Sequence, residues 1–214
     1  MPGQIPMGDI VDRVIEGIGK AQRDYKKWSG DENLDNAPEY LITVSIAQSI
    51  AQLRLDNYFI TLEGGVKGTL ESCGALGKGR IHRDMRANGK FDIVIWWAGG
   101  TPRAVIEVKH NIWFFRRLRI DLQRIGETLK RKSDNSTLQF GILAFYISCE
   151  GKDSENAQGN VKRKIHYLYQ KSKAILDGDF TVNLREGNDV KRVEDKYAWE
   201  AVALVIRRKS TESS

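Results

Sequence analysis

The sequence is poor in cysteine and histidine and has no long apolar run, and each lack removes a class of protein. Two cysteines, Cys73 and Cys149, cannot make a disulfide framework, and no Cys-x-x-Cys pair is there to hold zinc. The three histidines, His82, His110 and His166, have no metal-ligand spacing and read as packed or solvated side chains. Neither cysteine has an evident base partner, so both read as inert thiols. No stretch approaches the roughly 20 apolar residues of a membrane span. Residues 1–10 carry no basic segment followed by an apolar one, so no signal peptide is expected. The expected compartment is a reducing cytoplasm, with no membrane partner. Residues 74–79, Gly-Ala-Leu-Gly-Lys-Gly, lack the spacing of a nucleotide phosphate loop and read instead as a DNA-contacting loop.

What remains is a globular chain with a basic excess. Hydrophobic residues make up 41% and charged residues 29% of 214 residues, enough for one ordinary domain with its own core. Lysine plus arginine outnumber the acids 34 to 28, a net charge of +6, which points to a polyanionic partner only if the cations are gathered. Periodicity predicts a helix over residues 9–28, with Ile10, Val14, Ile18, Ala21, Tyr25 and Trp28 on one side. That amphipathic helix could serve a dimer or pack on its own core. A polar linker follows, so residues 1–35 read as helix plus linker and 36–214 as the main domain. A second helix is expected from Asn36, a residue able to cap, to about residues 56–57. Strands are expected at 58–63, 91–97, 103–109, 139–148, 180–184 and 197–207, and helices at 117–130 and 161–176. This order predicts an α/β fold with a central mixed β-sheet flanked by helices.

The chemistry sits in residues 90–109, KFDIVIWWAGGTPRAVIEVK. Alternation along a strand puts Val105, Glu107 and Lys109 on one face and Asp92 with Val94 and Trp96 on one face. In the expected hairpin register Asp92 lies across from the Glu107 and Lys109 end. Two carboxylates and an ammonium on an otherwise apolar sheet are costly to bury without a partner. A hard divalent cation, Mg²⁺ or Mn²⁺, held by Asp92, Glu107 and the backbone carbonyl of Val108, would be such a partner. It would acidify a water and polarise a phosphodiester, and Lys109 would orient that water or stabilise charge on the phosphate.

An Asp at a strand start, a hairpin turn, then apolar-Glu-apolar-Lys resembles the PD-(D/E)xK nuclease superfamily, which has a restriction-endonuclease-like core. Asp92, Glu107 and Lys109 match its motif. Phe91 stands where the family has proline. The resemblance implies a metal-dependent endonuclease, acting on DNA with RNA left open, and a nuclease-like domain over residues 36–214. Many members carry another acid on the first core helix, and Glu39 is the candidate here, as a further metal ligand. Its other reading is a capping-box glutamate after Asn36. An Asp-apolar-x-Arg-apolar pattern at residues 121–125 also resembles some members, giving Asp121 and Arg124 a supporting role. The plainer reading pairs Arg117 with Asp121 on a solvated helix face.

The cations flank the acids in sequence. Lys78, Arg80, Arg83 and Arg86 crowd the loop before Asp92, and Arg116, Arg117, Arg119 and Arg124 follow Glu107. Together they are the expected nucleic-acid contacts. Trp96, Trp97, Trp113, Phe114 and Phe115 read as core or interface rather than base-stacking platforms. Double-strand cutting would favour a homodimer, since each site cuts one strand. Two alternatives stand beside the nuclease: a catalytically silent nucleic-acid-binding module of the same fold, and a structural protein whose Asp92, Glu107 and Lys109 form a buried ion cluster.

Overall fold

A computed structural model describes residues 5–30, 32–53, 58–75, 88–110, 112, 114–131, 136–187 and 196–209, and residues 191–194 by their backbone. Helix α1 (Met7–Trp28) buries Ile10, Val14, Ile18 and Ala21 of the predicted stripe, together with Val11, while Tyr25 is partly buried and Trp28, at the helix end, is 66% exposed. Gly17 allows close packing on α2 (Glu39–Ala51): a Cβ there would stand 2.5 Å from the Ile46 Cα. The expected helix start at Asn36 moves. Asn36 closes a short 3-10 turn (Leu34–Asn36), and Pro38 takes the position before the helix with extended dihedrals and no side-chain cap. Glu39 is therefore the first helical residue, and the capping-box reading fails. The helix ends at Ala51, with Gln52 as its C-cap, short of the expected end at 56–57.

Strands β1 (Tyr58–Gly65), β2 (Lys90–Trp97), β3 (Pro102–Lys109), β4 (Phe140–Glu150), β5 (Phe180–Glu186), β6 (Lys191–Glu194) and β7 (Tyr197–Arg208) join one seven-stranded sheet. Its order is β1-β2-β3-β4-β7-β5, with β6 also pairing β7. All pairs are antiparallel except β3 with β4, which are parallel. The parallel pair needs a crossover, and α4 (Arg116–Lys130) lies within it. Helices α3 (Val66–Ser72) and α5 (Ser154–Leu176) complete the set.

The sheet is covered on both sides. Helices α1 and α2 pack with Ile93, Ile95, Ala104, Ile106, Ile142 and Ala144 on one face. Helices α3, α4 and α5 pack with Val94, Val105, Leu143, Phe145, Val202 and Leu204 on the other. Burial on both faces explains why β3 and β4 are nearly unbroken apolar runs rather than alternating ones. The glutamate in β3 is thus inside the molecule. At the far end of β3, the buried Arg103 donates to the Ile5 carbonyl at 2.6 Å and lies over Tyr58, Trp97 and Phe140. No helix among the described residues is long and apolar enough to cross a membrane.

Candidate functional site

The predicted hairpin forms, and it divides at the end that carries the acids. Its ladder runs through Ile95 with Ala104, Val94 with Val105 and Ile93 with Ile106, then stops one step short of Asp92 and Glu107. There the Val108 backbone N–H donates to Asp92 Oδ2 at 2.7 Å, so a side chain takes a backbone donor. The other neighbour of β2 is irregular at the same level. Glu63, opposite Asp92 in the β1 register, has φ of 52°, in the left-handed region. Phe91 joins the α4 side of the core and Ile93 the α1 side, although strand alternation would put them together. The alternation expected along the strand is broken at Asp92, although β2 keeps its register with β1 on either side, Leu62 with Ile93 and Gly64 with Phe91.

Four elements converge on this opening. Glu107 of β3 is 0% exposed. The guanidinium of Arg124 on α4 is ion-paired with Glu107 Oε2 and lies 3.0 Å from Asp121 Oδ1, one turn earlier on the same helix. Arg124 does not point an N–H squarely at Glu107: among the described residues neither Glu107 oxygen accepts a well-directed hydrogen bond, and Arg124 Nε is also buried without a partner. Lys109 Nζ donates to the Val108 carbonyl at 2.8 Å and to Glu39 Oε1 at 3.2 Å, and stands 3.7 Å from Asp121 Oδ2. Glu39 reaches across from α2, and its second oxygen accepts the His110 backbone N–H at 3.1 Å. His110 Nδ1 is 3.8 Å from the same oxygen.

The cluster is out of electrostatic balance. Asp92, Glu107, Asp121 and Glu39 stand against Lys109 and Arg124, a formal excess of two negative charges. Burial holds the Glu107 carboxyl well above its ordinary value, with Arg124 pulling the other way. Burial also raises Asp92, against the Val108 N–H and Lys109. Burial would raise Glu39 too, but its contacts with His110 and Lys109 hold it below the usual range. Burial would lower Lys109, yet the carboxylates of Asp121, Glu39, Asp92 and Glu107 raise it, so its ammonium stays charged.

The structure gathers Asp92, Glu107, Lys109, Glu39 and Asp121, all named from the sequence. Arg124, expected both as a nucleic-acid contact and in a supporting role beside Asp121, is 6% exposed and lies at the centre of the cluster rather than on the outer surface. Asp121 is ion-paired with Arg124 and Lys109, and it is buried rather than on a solvated face. The Val108 carbonyl, expected to face a metal, already accepts from Lys109. Arg116, Arg117 and Arg119 are exposed at the start of α4. Lys78, Arg80, Arg83, Arg86 and His82 lie outside the described residues, as does Trp113. His110, read from the sequence as a packed or solvated side chain although it follows Lys109, is brought against Glu39. Phe114, expected in the core or at an interface, is 74% exposed and so outside the core, while Trp96 stacks on Phe59 and donates to Thr61. Burial raises both thiols, in keeping with inert cysteines.

Whether a cation suits this set turns on Glu107. Among the described residues no three Asp, Glu, His or Cys side chains are drawn together as a ready metal cage. Mg²⁺ needs no such cage, since it commonly takes one or two carboxylates and keeps its waters. A buried carboxylate without a directed donor, beside a second acid and a twofold negative excess, is a donor set of that kind. Comparison of the chain with protein-family models, with curated proteins and with solved structures finds no match.

Proposed function

We propose that the chain is a metal-dependent nuclease with a restriction-endonuclease-like core, hydrolysing phosphodiester bonds, with DNA as the substrate of choice. The observation that carries this reading is the excess of acid at the divided end of β2 and β3, with Glu107 buried and lacking a directed donor. Burying that arrangement costs stability. Asp92 and Glu107 would hold Mg²⁺ or Mn²⁺, with Glu39 as a further ligand. When bound, the ion supplies positive charge to a phosphodiester and makes a water more acidic.

The chain's own groups supply the rest. Lys109 stays protonated, so it acts as a donor and not as a base: it steadies the attacking water or the charge growing on the phosphate. Asp121 and Glu39 hold the Lys109 ammonium from two sides and fix its direction. Arg116, Arg117 and Arg119, exposed at the start of α4, would take the phosphate backbone.

Cleavage of supercoiled plasmid, single-stranded DNA and RNA with Mg²⁺ or Mn²⁺ tests this, beside an EDTA control and Asp92→Ala, Glu107→Ala and Lys109→Ala. Metal-dependent cleavage lost in all three variants supports the nuclease; full activity in Asp92→Ala sinks it. Light scattering of the same samples tells a monomer from the homodimer that double-strand cutting favours. The ion pair of Arg124 with Glu107 favours one other reading, a silent nucleic-acid-binding module in which internal cations replace the metal. That reading predicts DNA binding with no cleavage under any metal.

A further inference from the structure

The pairing between Arg124 and Glu107 is unfinished on both sides. A buried guanidinium and a carboxylate ordinarily meet through two parallel hydrogen bonds. Here a single nitrogen, Nη2, is shared between Glu107 Oε2 and Asp121 Oδ1. Arg124 Nε is left without a partner, and neither Glu107 oxygen receives a directed hydrogen bond, although both residues are over nine-tenths buried. Unpaired buried groups of this kind are rare and costly in a finished core. The guanidinium does have a second holder. Asp121 sits three residues earlier on α4, at 3.0 Å, and moves with it. Arg124 can therefore release Glu107 and keep a counter-charge.

We infer that Arg124 is the resident counter-ion of Glu107, which a divalent cation must displace, so that Arg124 sets the affinity of the site for metal. This rests on the metal-dependent reading above. Two cations cannot both lie against one buried carboxylate without strong repulsion, because charges are poorly screened there. In the metal-free protein Arg124 keeps Glu107 from standing as an uncompensated buried charge. When a metal arrives, Arg124 withdraws to Asp121. It acts through Glu107, as a positioning residue, and touches no reacting atom.

Calorimetric titration with Mn²⁺ of the full chain, Arg124→Met and Asp92→Asn is the first test. Arg124→Met should bind about tenfold more tightly or better, since an opposing charge at close range has gone, and Asp92→Asn should lose binding. Nitrogen NMR of the wild-type guanidinium groups is the second, and it needs no variant to fold. In EDTA the Arg124 Nη protons should be protected from exchange; saturating Mg²⁺ should shift them and change that protection. If Arg124→Met binds Mn²⁺ no better than wild type while Asp92→Asn abolishes binding, the counter-ion role is overturned and the metal site survives. Unchanged Arg124 signals at saturating Mg²⁺ overturn it in the same way. If neither wild type nor Arg124→Met binds any divalent ion, the nuclease reading itself falls, and this inference with it.

Discussion

Two carboxylates in one cluster should respond to pH in opposite senses. Glu39 is held below its ordinary value of 4.5 by His110 and Lys109, against the effect of burial. Its contribution to stability is full above the unfolded value and is lost as pH falls through the lower folded value. Glu39→Gln should thus be less stable than wild type at pH 7, with the gap closing in acid below 4.5. The gap should be no more than about 1 kcal/mol, because the side chain is over a third exposed and its ion pair is partly screened. Asp92 has the reverse sign. Its folded value is raised, so its ionised form costs stability at neutral pH, and that cost vanishes as pH falls. Asp92→Asn keeps an oxygen for the Val108 N–H and should match wild type in EDTA at pH 7 or exceed it by up to about 1 kcal/mol, roughly 2–4 °C in melting temperature. Thermal melts across pH 3 to 8 check both; a lower melting temperature for Asp92→Asn at pH 7 in EDTA would show that its charge is structural.

Elements explain what could and could not be foreseen. The hairpin and its acids were legible because period-two alternation survives in β2 and β3 up to Ile93 and Ile106. Glu39 was legible as the polar end of an apolar helix stripe, but its partner was not, because Lys109 lies 70 residues away. Helix α3 was hidden by its seven residues and by Gly68, which leave only Val66, Thr69 and Leu70 to show a period. The first turns of α5 looked like a loop because only Ala157 is buried before Val161; Asp153, whose side chain accepts the Asn156 N–H, marks the true start. Arg124 carried two readings, a phosphate contact among the arginines of α4 and a supporting partner of Asp121, because spacing alone does not say which side of the helix it takes. What holds it inward is the seating of α4 on the sheet, and Gly141 of β4 controls that seating. A Cβ at Gly141 would overlap the Cγ2 of Ile125, a branched side chain with little freedom to move. Gly141→Ala should push α4 outward and destabilise the fold by about 1–3 kcal/mol. Adding Ile125→Ala should recover part of that loss, so the two changes would be far from additive in a denaturation cycle. If the proposed nuclease reading holds, the single variant should also lose cleavage beyond its stability loss, since Asp121 and Arg124 travel with the helix.

At the scale of the whole molecule the charges are arranged against each other. The chain carries +6, yet the cluster at the divided hairpin carries a formal excess of two negative charges, so the cations lie mostly outside it. A polyanion is drawn by the outer cations and repelled by the acids until something neutralises them. Arg116, Arg117 and Arg119 stand exposed at the start of α4, the helix whose later turn holds Asp121 and Arg124, so a phosphate backbone held there lies on the element that borders the acids. If these three arginines hold phosphates, their removal must reduce the number of counter-ions released on binding. Replacing all three with glutamine should therefore weaken DNA binding at low salt. It should also flatten the dependence of log affinity on log salt by roughly 0.9 for each duplex phosphate that is no longer neutralised. Fluorescence anisotropy in EDTA, where no cleavage intervenes, reads that slope directly. A slope equal to that of wild type would mean that the backbone is held elsewhere. In the same assay Asp92→Asn should bind DNA more tightly than wild type, because it removes part of the repulsion between the acids and the phosphates.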